Sequence, residues 1–366
     1  MSRAGSAVTG ACRVQLLTPD LEPAYAAFVN AHASGLFYAS LPFRDLLCSY
    51  LACTPRYLVA LSASDGIVGV FPAMRSAGAT PVLNSLPYYG SNGGVLALDD
   101  ADNVRRALLD AFHRTALDDG CVAATIITSP YEQALTLYEQ DAHFSLRDER
   151  ICLLTPLPVG APDIGAALLS SFSEPRPRNI RRAIKAGVQV SESSDIDDYR
   201  YLHATHEQNI VAIGGRSKEW RFFHDAVRTI PASMRRLYIA RIDGVRVAAL
   251  LLFYGNETVE YFTPATDEAH RTEQPLSLLI FRAMIDATAA GYRIWNWGGT
   301  WLTQGGVYDF KRRWGTIERR YFYYTRVLDA RVLDESPEAL LAAHPHFFVV
   351  PFAALAARHS NAVAAA

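Results

Sequence analysis

Apolar and polar positions along this chain follow one pattern, written twice. Residues 58–74, LVALSASDGIVGVFPAM, and residues 238–254, YIARIDGVRVAALLLFY, each predict an apolar strand, an Asp-Gly turn and a second apolar strand. Each is followed by an apolar helix that runs into a glycine and then a strand: ALLDAFHRTALDDGCVAATII at 107–127 and LLIFRAMIDATAAGYRIWNWG at 278–298. The offsets, 178 residues between Asp65 and Asp243 and 171 between Gly120 and Gly291, keep both order and spacing. The chain therefore reads as two copies of one α+β unit.

The second copy predicts helices over 196–211 and 217–229, a hairpin over 237–253 and a strand over 257–263. A helix at 275–290, a strand at 292–297 and a last strand at 319–328 complete it. Between the copies, TPLPVGAP at 155–162 interrupts the periodicity with prolines and a glycine. Domains are accordingly expected at 1–158 and 159–330, with 331–366 as a tail whose Ser-Pro-Glu at 336–338 starts a terminal helix.

Composition narrows the class. Half of the 366 residues are apolar and 20% charged, as in ordinary folded proteins, and two domains of this length can each bury a core. The N-terminus lacks the apolar run of a signal peptide, and no stretch reaches the ~20 apolar residues of a membrane span. Stable membrane insertion is not expected, and the cytosol is the expected compartment. Five cysteines without a CxxC pair suggest neither a disulfide framework nor a zinc site. His203 and His206 stand three apart on a helix without a third ligand, so no metal is expected.

The order helix pair, hairpin, strand, long helix, two closing strands is that of a GNAT-type acyltransferase domain. Three segments sharpen the likeness: SLPYYGSNGG (85–94), EPRPRNIRRAIKAGV (174–188) and NWGGTWLTQGGVYDFKRRWG (296–315). They resemble, in order, the three signature regions of the FemAB aminoacyltransferases. The third is the most specific, with Gly-Gly, a loop, Phe-Lys, and a Gly four residues past the Lys. The resemblance covers most of 14–328. It implies two tandem GNAT-like domains (the acyl-CoA N-acyltransferase-like fold) with mixed, mostly antiparallel sheets and one active site between them. It also implies transfer of an amino acid from aminoacyl-tRNA to an amine of a cell-wall, polysaccharide or natural-product precursor.

The residues carry their own chemistry. Only three of 35 basic residues are lysines, Lys185, Lys218 and Lys311. In a chain so biased to arginine, Lys311 points to a compact ammonium placed on a phosphate or a developing oxyanion. It follows Gly305-Gly306, a loop free to adopt unusual dihedrals, and Phe310, which the resemblance sets near the acceptor end of the tRNA. Asp309 and Glu260 are candidate bases. Arg178, Arg181, Arg182 and Lys185 form one basic helix face at i, i+3, i+4, i+7, with Ile180, Ala183 and Ile184 opposite. This helix contributes +5 and residues 310–320 a further +4, in a chain of net −2, so positive charge is focused for a tRNA backbone or a nucleotide-linked acceptor. Asn92-Gly93 predicts a hairpin turn. Tyr88 and Tyr89 before it are, as the resemblance suggests, candidate acceptor contacts, with half-buried strand aromatics as the alternative. Trp295, Trp297 and Trp301 are candidate platforms for a base, against a core role for at least one of Trp295 and Trp297, which alternate on a strand.

The donor is argued from a departure. CoA-using GNAT enzymes cradle pyrophosphate on backbone N–H groups of an [RQ]xxGx[GA] turn at the start of the long helix. Here the stretch is Arg271-Thr-Glu-Gln274-Pro275-Leu276, with both glycine positions filled and one N–H missing. An aminoacyl-tRNA donor and a small-molecule amine or nucleotide-linked acceptor are expected, with no resident cofactor. The alternatives are an acyl-CoA-dependent N-acyltransferase and a non-catalytic protein that binds RNA or a precursor.

Overall fold

The computed structural model describes residues 12–88, 90–98, 101–300 and 305–355, and the chain divides into two compact units. One is Met1–Glu149 with Arg320–Ala366; the other is Arg150–Arg319. The divisions thus fall at 149/150 and 319/320 rather than at 158/159 and 330/331, because a strand runs through each point. The tail groups with the first unit.

The first unit begins with β1 (Arg13–Leu16), α1 (Glu22–Ala31), α2 (Leu41–Leu51), β2 (Thr54–Pro55), β3 (Leu58–Leu61) and β4 (Ile67–Phe71). It continues with β5 (Met74–Arg75), β6 (Val82–Asn84), β7 (Leu96–Ala97), α3 (Asp102–Asp118), β8 (Ala123–Ile127) and α4 (Leu135–Glu139). The strand β9 (Leu146–Pro156) leads into the second unit: α5 (Ile164–Ser171), α6 (Arg176–Lys185), β10 (Gln189–Ser193), α7 (Ile196–Val211) and α8 (Trp220–Thr229). There follow β11 (Arg235–Ile242), β12 (Val245–Gly255), β13 (Thr258–Thr266), α9 (Pro275–Ala289), β14 (Ile294–Thr300) and α10 (Gly305–Arg312). The chain returns along β15 (Ile317–Val327) and ends in α11 (Pro337–Ala343), where Ser336 caps the first turn by accepting from the Ala339 N–H.

In the second unit the strand order is β10-β11-β12-β13-β14-β9, antiparallel except for β13 against β14. The first unit has a four-stranded antiparallel sheet, β1-β3-β4-β7, and a second group in which β8 lies between β15, antiparallel, and β6, parallel. The repeat is visible in detail. Each copy has one parallel pair whose later strand follows the long helix, and Gly120 (φ +63°) and Gly291 (φ +92°) turn that helix into it. Asp243 and Gly244 both take positive φ between paired Ile242 and Val245, the two-residue turn whose twist matches a hairpin. The first copy turns over a longer loop between Leu61 and Ile67, with Asp65 at φ +60°.

Each unit has its own core. In the first, α3 lays Val104, Leu108 and Phe112 on β3 and β4, with Phe112 stacked on Phe71 at 4.8 Å. In the second, α6 and α9 pack against the sheet over Leu250, Leu252, Trp295, Trp297 and Trp314. Among the described residues, no helix is long and apolar enough to cross a membrane.

Candidate functional site in the second unit

The strands β13 and β14 stay paired over only three positions, Thr258 with Ile294, Val259 with Trp295 and Glu260 with Asn296. Past Asn296 the partner register on β9 shifts, and Gly298 adopts φ +71°, a conformation that a side chain resists. The Gly298 N–H donates to Asn296 Oδ1 at 2.8 Å, holding the bend. The chain departs from the expected loop here: Gly305 and Gly306 form the first turn of α10 with ordinary φ, and the glycine that needs its freedom is Gly298.

A buried polar island occupies the place where the strands part. Glu260 is 1% exposed, Asn296 and Cys152 0%, Thr300 2% and Lys311 8%. Cys152 Sγ donates to Asn296 Oδ1 at 3.1 Å. Lys311, on the inner side of α10, donates to Thr300 Oγ1 at 2.9 Å and to the Gly299 carbonyl at 3.2 Å. Burial disfavours its ammonium and lowers its pKa to about 8, with Cys152 acting weakly the other way. Burial pushes the Cys152 thiol well up, and the neighbouring Glu260 adds to this. Lys218 is the second buried lysine, its Nζ 5.1 Å from the Phe262 ring centroid and its pKa also about 8 through desolvation.

Around the island the expected residues separate. Phe310 is half-buried against Trp297 and Trp314, both at 6.1 Å. Asp309 lies on the exposed side of α10, paired with Arg312 at 2.5 Å. Trp297 is 1% exposed, and its indole N–H donates to Thr155 Oγ1 at 2.9 Å, while that hydroxyl donates to the Trp314 carbonyl at 2.9 Å. It is therefore a hydrogen-bonded core residue whose face is unavailable to a base; Trp301 lies outside the described residues. Gly315 takes φ +67°, and a Cβ there would meet Ser171 Oγ at 2.8 Å, so the Gly beyond the Lys is needed for packing against α5.

On α6, Arg178, Arg181, Arg182 and Lys185 are all exposed, and Arg181 meets Glu174 loosely at 3.7 Å. Ile180 and Ala183 are buried as expected. Ile184 is not: at 58% exposure it borders the basic face, because its position on the helix falls outside the narrow inward stripe. The residue that completes that stripe is Arg176, only 8% exposed, which the sequence pattern had counted merely as charge.

In the first unit, Tyr88 is 7% exposed with φ +80°, its ring packed on Tyr50 and His346. Tyr89 lies outside the described residues. Asn92-Gly93 is not a hairpin turn. Gly93 bridges in parallel to Thr128 and Asn92 Nδ2 donates to the Thr128 carbonyl at 3.0 Å, because a Cβ at Gly93 would lie 2.8 Å from Ser85 Oγ and only glycine permits this approach. Nearby, His113 and His143 both bond to Asp141, at 2.9 and 2.8 Å, fastening that loop to α3.

The far half of β13 and the start of α9 enclose a cavity of about 380 Å³, lined by Asn209, Thr266, Arg271, Gln274–Ser277 and Phe310. Its backbone groups are largely taken. Asn209 Nδ2 donates to the Thr266 carbonyl and Asn209 Oδ1 accepts the Thr266 N–H, both at 2.9 Å. His206 Nδ1 donates to the Pro264 carbonyl at 3.1 Å; burial and then Lys218 lower its pKa to about 4, so it is neutral at pH 7. At the helix start Pro275 has no N–H, the Gln274 N–H is turned to the Arg271 carbonyl, and the Ser277 N–H is turned to the Gln274 carbonyl.

Comparison with known proteins gives the class. Residues 176–312 match a family described as an acetyltransferase (GNAT) domain. The fold is similar to that of FemX, at 14% identity over 88% of this chain and 99% of FemX, with a TM-score of 0.71. It is also similar to the C-terminal domain (DUF2156) of a putative lysylphosphatidylglycerol synthetase from Agrobacterium fabrum (13% identity, 88% and 96% coverage, TM-score 0.56). L-PGS from Bacillus licheniformis is a third such structure (12% identity, 87% and 95% coverage, TM-score 0.55). No curated protein sequence matches the chain. The family match thus places a GNAT acetyltransferase domain at residues 176–312, and the fold is that of two tandem GNAT-like units.

Proposed function

We propose that this acyltransferase moves an amino acid from aminoacyl-tRNA to the amine of a cell-wall, polysaccharide or natural-product precursor. The observation that carries this reading is the chemical closure of the β13–α9 cavity. An extended arm with amides, such as pantetheine, binds by pairing with a free strand edge, and a pyrophosphate by collecting free N–H groups at a helix start. At 264 and 266 the edge is already bonded by α7, and at 274, 275 and 277 the N–H groups are turned away or absent. The family match itself favours the other reading, an acyl-CoA donor, and calorimetry separates the two. Acetyl-CoA at micromolar concentrations is expected to give no saturable heat, whereas charged tRNA does; tight CoA binding would overturn the tRNA reading.

In the reaction the amine nitrogen attacks the ester carbonyl, the carbon–nitrogen bond forms, and the carbon–oxygen bond to the ribose breaks. The amine loses a proton and the departing ribose oxygen gains one. Lys311, desolvated and hydrogen-bonded, supplies positive charge for the oxyanion and an acid of suitable strength for the leaving oxygen. Glu260 is a buried carboxylate of the same island and the candidate acceptor of the amine proton.

The exposed cations of α6 hold phosphates in this reading. Replacing Arg178 and Arg182 by Gln is expected to weaken tRNA binding and to flatten its log–log salt dependence by roughly one to two units. An unaltered slope would make α6 an ordinary solvated face.

A further inference from the structure

Arg176 opens α6 on the wrong face for a cation. It shares the inward stripe with Ile180 and Ala183, at 1% and 0% exposure, and is itself 8% exposed. Its guanidinium lies 4.3 Å from the Phe310 ring centroid and 5.5 Å from that of Trp314. No carboxylate among the described residues pairs with it, and its Nε is buried without a hydrogen-bond partner. The charge that acts most on it is another cation, Arg313, which donates to the Glu174 carbonyl. Burial and Arg313 both work against its charge and lower its pKa, yet a guanidinium stays protonated at any ordinary pH.

A buried charge without a counter-charge is destabilising, and the two ring contacts offset only part of that. Folded proteins tolerate this where a ligand completes the pair. Phe310, on which the guanidinium stacks, is also a wall of the β13–α9 cavity. The surrounding rings fix the plane of the fork, which suits two-point binding of a planar or tetrahedral oxyanion.

We infer that Arg176 is the built-in half of an anion site in the second unit, completed by a carboxylate or phosphate of the substrate that enters beside Phe310. This deepens the transferase reading and rests on it for the identity of the substrate, but the site itself is testable without any reaction. Removing the unpaired charge while keeping the apolar stem makes the free protein more stable, and removes its response to anions.

The experiment is thermal unfolding of wild type, Arg176→Met and Arg176→Lys, each with sodium chloride, pyrophosphate or succinate at matched ionic strength. Free Arg176→Met is expected to melt about 3 °C or more above wild type. Wild type is expected to gain a saturable shift with pyrophosphate, with succinate or with both, which identifies the phosphate or carboxylate source. Arg176→Met should lose that shift and Arg176→Lys keep only part of it. The inference fails if Arg176→Met melts lower than wild type, which would make the stacked guanidinium a structural prop. It also fails if no anion shifts wild type, or if the shift survives in Arg176→Met. Failure of aminoacyl transfer with these shifts intact would reject the tRNA reading alone and leave the anion site in place.

Discussion

Lys311→Met is expected to lower kcat by about 10²-fold or more, a loss of order 3 kcal/mol, the size of one removed oxyanion donor. Stability should not fall with it, because the ammonium is desolvated and its removal from a site of 8% exposure relieves as much as it breaks. The sign of the pH dependence tests the role. With a pKa of about 8 in the free protein, the active protonated form is lost as pH rises through 8, so kcat/KM declines on that limb. Lys311→Arg, which cannot deprotonate, should retain part of the rate and lose the limb. A kcat that does not move in Lys311→Met, with a confirmed substrate, would place the chemistry elsewhere. A KM effect alone would make Lys311 a ground-state contact.

Trp297→Ala is expected to destabilise the second unit by about 3–5 kcal/mol, enough to unfold a marginal domain, and Trp297→Phe by clearly less. The reason is position. The ring is closed in by Tyr261, Phe310 and Trp314, and its N–H begins a chain through Thr155 to the Trp314 carbonyl that fixes the turn after α10. Denaturant unfolding of the two variants measures this. If Trp297→Ala keeps the melting point and loses only RNA affinity, the indole is a base platform after all and its burial misleads.

Local chemistry made much of the fold legible. Asp243-Gly244 sets a two-residue turn, Pro275 starts a helix, Gly291 ends it, and the expected spans of α7, α9 and β14 agree with the observed ones within a few residues. The signature around Phe310-Lys311 led to the buried lysine because a rare residue type stood out against an arginine background. What stayed hidden depended on distant partners. Nothing near Asn296 announces that Cys152, 144 positions earlier, will donate to it. The closure at Thr266 comes from Asn209, a residue unremarkable on its own helix. Arg176 was readable in principle, since a cation on an apolar stripe contradicts the stripe. The count of charges concealed it. Trp297 shows the reverse case, in which an aromatic within a signature region is core.

The split of the first unit into Met1–Glu149 and Arg320–Ala366 bears on how the protein is made. Tyr323–Val327 of β15 pair with Ala123–Ile127 of β8, so the first unit lacks a strand until the chain has grown about 200 residues past β8. The second unit, one uninterrupted segment, is complete sooner. Birth order is thus inverted relative to chain order. Until β15 is made, the edge of β8 that it pairs with stays open, while the C-terminal unit is free to fold ahead. Expression of 1–158 alone would give a fragment with that same exposed strand, and a nascent chain stalled before residue 320 is where chaperones should be found.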